Sequence, residues 1–199
     1  MNTGDVTVSE EYVYLKQRLE RIKQNFNVET FKNTPWVDLD DVRMDYARAY
    51  VALCHAEIES YLEYKSVVVV DKALHIWNES GNPTLPLLSL FAHFEFIEKN
   101  CSTNEKVNMI TQKFKHSVVR NNGIKEENIK KLFKPLGINV DELDTAWIAT
   151  LNSYGAKRGE TVHVSAKIQQ PLDVSALIND TERICNDAID FDKLLNNFI

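Results

Sequence analysis

The chain has 199 residues, 44% of them hydrophobic and 26% charged, with six glycines and five prolines. That length suits one good hydrophobic core, and the composition excludes a disordered protein and leans towards helix. A net charge of −6 argues against a protein coated in nucleic acid, no apolar run is long enough to cross a bilayer, and the start MNTGDVTVSEEYVYL lacks the regions of a leader, so a cytoplasmic protein is expected.

Tyr12, Leu15, Leu19, Ile22 and Phe26 recur at steps of three and four, which predicts an amphipathic helix from about Ser9 to Phe26. Pro35 and Trp36 mark a connector. The spacing of Ala47, Val51, Cys54, Ile58, Leu62 and Lys65 predicts a long second helix from around Asp40 to at least Tyr64. It can continue through SVVVVDKALHIW, because Val67 to Val70 have no alternating neighbour with which to pair as a strand. ESGNPTLP breaks the chain, and Thr84 is placed to cap a third helix carrying Leu88, Phe91, Phe94 and Ile97. A fourth carries Val107, Ile110, Phe114 and Val118.

After RNNG, a short helix with Ile129, Leu132 and Phe133 should stop at Pro135 and Gly137. The next starts near Asp141 with the stripe Leu143, Trp147, Leu151 and Tyr154, and Gly155 is placed as its left-handed terminus, so that Arg158 follows a helix end. Pro171 opens a last helix striped by Leu177, Ile184, Ala188, Phe191, Leu195 and Phe198. The expected organisation is all-α and a single domain over 1–199, with an N-terminal helix and connector (1–38) and a core (39–199).

Chemistry near neutral pH is limited to five histidines. His75 and His93 have apolar neighbours and read as packed core residues, whereas His116 lies in a basic run. No two histidines have the helical spacing of a metal site, there is no GxSxG and no phosphate-cradling glycine loop, and Cys54, Cys101 and Cys185 are too scattered for a disulfide framework. No metal or cofactor is expected. From Lys113 to Lys134 seven basic residues (Lys113, Lys115, Arg120, Lys125, Lys130, Lys131, Lys134) stand against Glu126 and Glu127, a local +5 that is either a solvated face or a phosphate-tracking surface. At 100° per residue Glu57 falls inside the arc of Tyr46, Tyr50, Leu53, Cys54 and Tyr61, while Glu59 and Glu63 fall outside it. An interior carboxylate needs a partner, here a tyrosine, Arg158 or His163. Those last two lie within AKRGETVHVS as an Arg-x4-His pair.

Three stretches, AYVALCHAEIESYLE (49–63), NNGIKEENIKKLFKPLGI (121–138) and LNSYGAKRGETVHVSAKI (151–168), resemble the HEPN superfamily, in particular its RiboL-PSP-HEPN group. HEPN proteins are all-α, and their nuclease members carry an Arg-x(4–6)-His motif. The resemblance implies a HEPN-like helical bundle with additional helices, catalytic roles for Arg158 and His163, and a supporting polar role for Glu57. It implies metal-independent cleavage of RNA by attack of the substrate's 2′-hydroxyl, in a cleft shared by two chains. The basic residues of 113–134, with Lys157, would hold RNA, and an antitoxin or regulatory protein is an expected partner. Two positions depart from the family's pattern. Gly159 stands where a polar residue often follows the arginine, and Ser165 replaces a tyrosine that serves in nucleotide-transfer control. The alternative is a non-catalytic HEPN-type binding or regulatory module.

Overall fold

A computed structural model describes residues 8–95, 100–163 and 172–198, with positions 162 and 163 described for the backbone alone. Among the described residues there are seven α-helices and no strand. The first, α1 (Glu10–Asn25), opens where the Ser9 hydroxyl accepts the Tyr12 amide, and its buried stripe is Tyr12, Leu15, Leu19 and Ile22. This stripe packs α1 against the second and last helices.

The second helix, α2 (Asp41–Ser80), is 40 residues and thus about 60 Å long. The Asp40 side chain caps its start by accepting the Arg43 amide, and its end is set by Gly81, whose φ of 68° is cheap only for a residue without Cβ. Its buried positions drift around the axis because its neighbours change along its length. All six residues of the expected stripe are buried, and Val69 and Val70 are buried in helix rather than strand.

The remaining helices are α3 (Leu85–Phe94), α4 (Thr103–Val118), α5 (Glu126–Phe133), α6 (Thr145–His163) and α7 (Val174–Asn197). Short 3-10 turns occupy Val28–Thr30, Trp36–Asp38, Lys134–Leu136 and Val140–Glu142. A reciprocal Ser102–Glu105 box caps α4. Gly137, with φ 84°, turns the chain after the expected stop at Pro135. One apolar cluster runs from Tyr12 to Leu195 through every helix but α3's exposed face, so the N-terminal helix shares the core of the rest. It includes Phe191 with Phe133 edge-on to its ring and Trp147 tilted against it.

Several expectations are corrected. Residues 141–144 form a 3-10 turn and cap rather than the first turn of α6, and α6 runs through Gly155 instead of ending there. Gly155 serves packing: a Cβ would lie 3.1 Å from Lys125 Cγ, so the missing side chain lets the segment that leads into α5, Ile124 and Lys125, cross α6 closely. In α3 the core face is Leu87 and Leu90, while Leu88 is exposed, and Thr84 marks the N-terminus without donating or accepting a side-chain cap. His75 and His93 are on the surface, not in the core; His75 is 3.3 Å from Glu79. Ile97 lies outside the described residues, but α3 already ends at Phe94, where Glu95 turns left-handed, and the last helix opens at Val174 behind the Asp173 cap rather than at Pro171.

Polar groups also hold the bundle. Asp192 on α7, 0% exposed, accepts the Ser9 amide (2.7 Å) and hydroxyl (2.6 Å), the Tyr61 hydroxyl (3.0 Å) and the Lys65 ammonium (2.9 Å). Lys65, 2% exposed, also donates to Asn196 Oδ1. The N-terminal cap of α1 and the middle of α2 are thereby fixed to the same carboxylate.

Candidate active site and basic cleft

Arg158 and His163 both lie on α6, and His163 is its last residue. A separation of five residues turns position 163 about 140° from position 158 and carries it about 7.5 Å along the axis. The two backbone positions therefore do not share a helix face. The His163 side chain and Ser165 lie outside what the structure describes. Arg158 is half-buried, and among the described residues no carboxylate pairs with it. Next along the chain, Gly159 has no described atom within 4 Å of where a Cβ would stand.

The described residue that shares Arg158's surroundings is His55, which sequence reasoning left without a role. His55 is 2% exposed on α2, and its pKa is pushed down to about 4, first by burial and then by the Arg158 guanidinium. Among the described residues its Nδ1 has no hydrogen-bond partner; Glu59 Oε2, one turn on, is 3.6 Å away, beyond bonding range. The signal was present in the sequence as a His55–Glu59 pair at i, i+4 on the face of α2 bounded by Cys54 and Ile58.

Glu57 is not where the sequence put it. It is 23% exposed and pairs with Arg18 on α1, Nε to Oε1 at 2.8 Å, rather than with a tyrosine, Arg158 or His163. Tyr46 and Leu53, which were used to define its interior arc, are themselves exposed. The carboxylates that face the site's side of α2 are Glu59 and Glu63. Glu59 accepts the Gly123 amide, and Glu63 accepts Asn121 Nδ2 at 3.1 Å. Burial raises the pKa of Glu63, Asn121 opposes the rise, and the Glu59 charge adds to it. The 121–123 turn is closed further by Asn121 Nδ2 to Gly123 O and by Asn128 Nδ2 to Asn121 Oδ1 and Asn122 O. Gly123 has φ 126°, and a Cβ there would stand 3.1 Å from Asn128 Oδ1, so both conformation and space call for glycine.

The basic residues expected to act together are sorted into different places. Lys115 pairs with Asp71 on α2, Lys157 pairs with Asp180 on α7 at 2.8 Å, and Lys125 lays its stem over Gly155. Lys113, Arg120, Lys130, Lys131 and Lys134 line one cleft of about 1080 Å³. His93, Phe94 and His116 line it too, and no carboxylate does among the described residues. Lys130 is held by Glu126 (2.7 Å) and Asp141 (2.8 Å). The Lys113 ammonium sits 4.9 Å over the Phe94 ring. Asn121 also lines the cleft, which joins it through the 121–123 turn to Glu59, one turn from His55. Among the described residues no three of His, Cys, Asp and Glu converge as a metal site would need, and no helix is long and apolar enough to cross a membrane.

Searches of curated proteins and of solved structures returned no match. The family model of RiboL-PSP-HEPN domains matches residues 10–197, from the first turn of α1 to the last of α7. With that match across nearly its whole length and an all-α fold, this chain belongs to the RiboL-PSP-HEPN family.

Proposed function

We propose that the protein is a metal-independent endoribonuclease, with Arg158 and His163 as its catalytic residues. The observation that carries the reading is Arg158 itself. Arg158 is half-buried and has no described carboxylate partner, so its guanidinium is available to a phosphate in a fork. In the reaction the substrate's 2′-oxygen attacks the adjacent phosphorus as the bond to the 5′-oxygen breaks, leaving a 2′,3′-cyclic phosphate and a 5′-hydroxyl. One imidazole takes the 2′-hydroxyl proton and another returns a proton to the 5′-oxygen, while Arg158 offsets charge on the non-bridging oxygens. Two imidazoles require two copies of His163, hence a homodimer with a shared cleft. The 140° separation on α6 supports this arrangement, since a pooled cleft can take the arginine of one chain with the histidine of the other. Glu57, paired with Arg18, would act only through the placement of α2. The setting is that of a toxin restrained by an antitoxin or of phage defence.

A non-catalytic binding module is the second reading, and the glycine at position 159 favours it, because it supplies no polar side chain beside Arg158. Incubation with labelled RNA in EDTA separates the two. The ribonuclease reading expects cleavage that leaves a 2′,3′-cyclic phosphate, spares DNA and is lost in His163→Ala and in Arg158→Ala, both still helical by circular dichroism. Full cleavage by His163→Ala would leave the module ahead.

A further inference from the structure

We propose that the cleft between α3, α4 and α5 is an exosite for single-stranded RNA, holding a stretch of strand that is not the one cut. The proposal deepens the ribonuclease reading and rests on it only for the identity of the polymer.

Charge is the first argument. Five formal cations line the cleft of a chain whose net charge is −6, with no carboxylate among the described lining residues. Glu126 and Asp141 already neutralise Lys130, but Lys113, Arg120 and Lys131 have no described carboxylate partner, and Lys134 feels Asp141 only at a distance, without an ion pair. These four come from α4, the residues after it, α5 and the following 3-10 turn, each seated on buried neighbours such as Phe114, Val118, Leu132 and Pro135. Like charges held on fixed walls repel, and an anion between them removes that cost.

Shape and rings decide which anion. The volume of about 1080 Å³ lies at the top of the range of small-molecule pockets, about 300–1,000 Å³, so a lone phosphate would leave it mostly empty. Phe94 stands in the wall, half-buried under the Lys113 ammonium, with His93 edge-on at 4.9 Å between ring centroids. Cations that track phosphates beside a flat ring on which a base can stack are the combination that holds single strands. A duplex keeps its bases inside and would leave Phe94 without a partner. Asn121 lines the cleft and its turn is tied to Glu59 and Glu63, so a strand leaving past Arg120 passes over this turn towards the Arg158 side of α2.

The test is fluorescence anisotropy with a labelled single-stranded oligoribonucleotide and full-length Arg158→Ala protein, so that cleavage does not disturb the titration. Four phosphate contacts predict a slope of log K against log salt of about −2.8, at about 0.7 per contact on a single strand. The Lys131→Gln/Lys134→Gln pair should reduce that slope by about 1.4 and weaken binding roughly tenfold or more near 0.1 M salt. Phe94→Leu, which keeps an apolar side chain in the wall, should weaken binding at least about fivefold with the slope unchanged. Lys115→Gln, on the same helix but tied to Asp71 outside the cleft, should leave the slope as it was. An equal loss from Lys115→Gln and from the Lys131→Gln/Lys134→Gln pair would overturn the exosite in favour of diffuse attraction. So would a duplex binding as tightly as the single strand. None of these arms depends on cleavage, so a protein that binds in this way and cuts nothing would sink the ribonuclease reading alone.

Discussion

His55 ties a residue with no assigned chemistry to the one that carries the functional reading. Its pKa falls from an ordinary value of about 6.5 to about 4 on folding, because burial and Arg158 both disfavour the imidazolium. The unfolded chain therefore binds this proton more readily. The resulting stability is complete above pH about 6.5 and is lost as pH falls towards 4, a difference of about 3 kcal/mol. Denaturant unfolding of wild type and His55→Gln at pH 7 and pH 4.5 checks it: the variant should lose less stability over that interval, and equal losses would detach the acid sensitivity from His55. The two glycines of α6 give a second contrast at this scale. Gly159→Ala meets no described neighbour in a helix and should gain about 0.5–1 kcal/mol, whereas Gly155→Ala should gain less because Lys125 must shift. Thermal unfolding of the two variants reads the difference. Individual side chains were the hardest part to read from the sequence. Glu57 and Glu59 are two residues apart on one helix, and which of them faces the site depends on Arg18, 39 positions earlier, and on the amide of Gly123, 64 positions later.

Elements were far more legible, because their signals are local. Ser9 and Phe26 bracket α1 as the apolar spacing requires, and the stripe that placed Lys65 in line with Leu62 and Ile58 was correct even though Lys65 is charged. The run through Gly155 was missed because a glycine that ends a helix and one that admits a neighbour look alike until the neighbour is known. The charge on Lys65 is tolerated through Asp192, which makes this pair the strongest test of how α1, α2 and α7 are held. Burial raises the Asp192 pKa, but the hydrogen bonds from Ser9 and the Lys65 ammonium more than offset it, leaving the group below the ordinary aspartate value. Its contribution is thus present above pH about 3.9 and is lost as pH falls through the lower folded value. Asp192→Ala should cost about 3–5 kcal/mol in denaturant unfolding at pH 7, since it strands a buried ammonium and frees the cap of α1. A loss below about 1 kcal/mol would mean that water or Asn196 takes over from the carboxylate.

For the whole molecule the decisive question is whether one chain suffices. If two copies of His163 serve one cleft, a heterodimer of one wild-type and one His163→Ala chain should run clearly below half the wild-type rate; half the rate would mean that each chain works alone. Tandem purification with two tags followed by single-turnover cleavage measures this. The fold class and the family were legible from periodicity and from three sequence stretches, but the cleft was not, because it brings His93 and Phe94 from α3 beside cations that follow them by 19 to 41 positions.

The length of α2 has a dynamic consequence. Up to Val70 it is buried in the main cluster, but its far end is held by a small satellite made of Ala73, Leu87 and Val107, with Leu74 and Trp77 against it. Fewer buried neighbours mean a lower cost of local opening, so one helix should behave as two cooperative units. Native-state hydrogen exchange should find the amides of 72–80 released by sub-global fluctuations, while those of 50–65 wait for global unfolding. The far end can then unzip while His55, Glu59 and the helix bearing Arg158 stay assembled, and a single slow exchange class along all of α2 would show instead that the satellite is welded to the core.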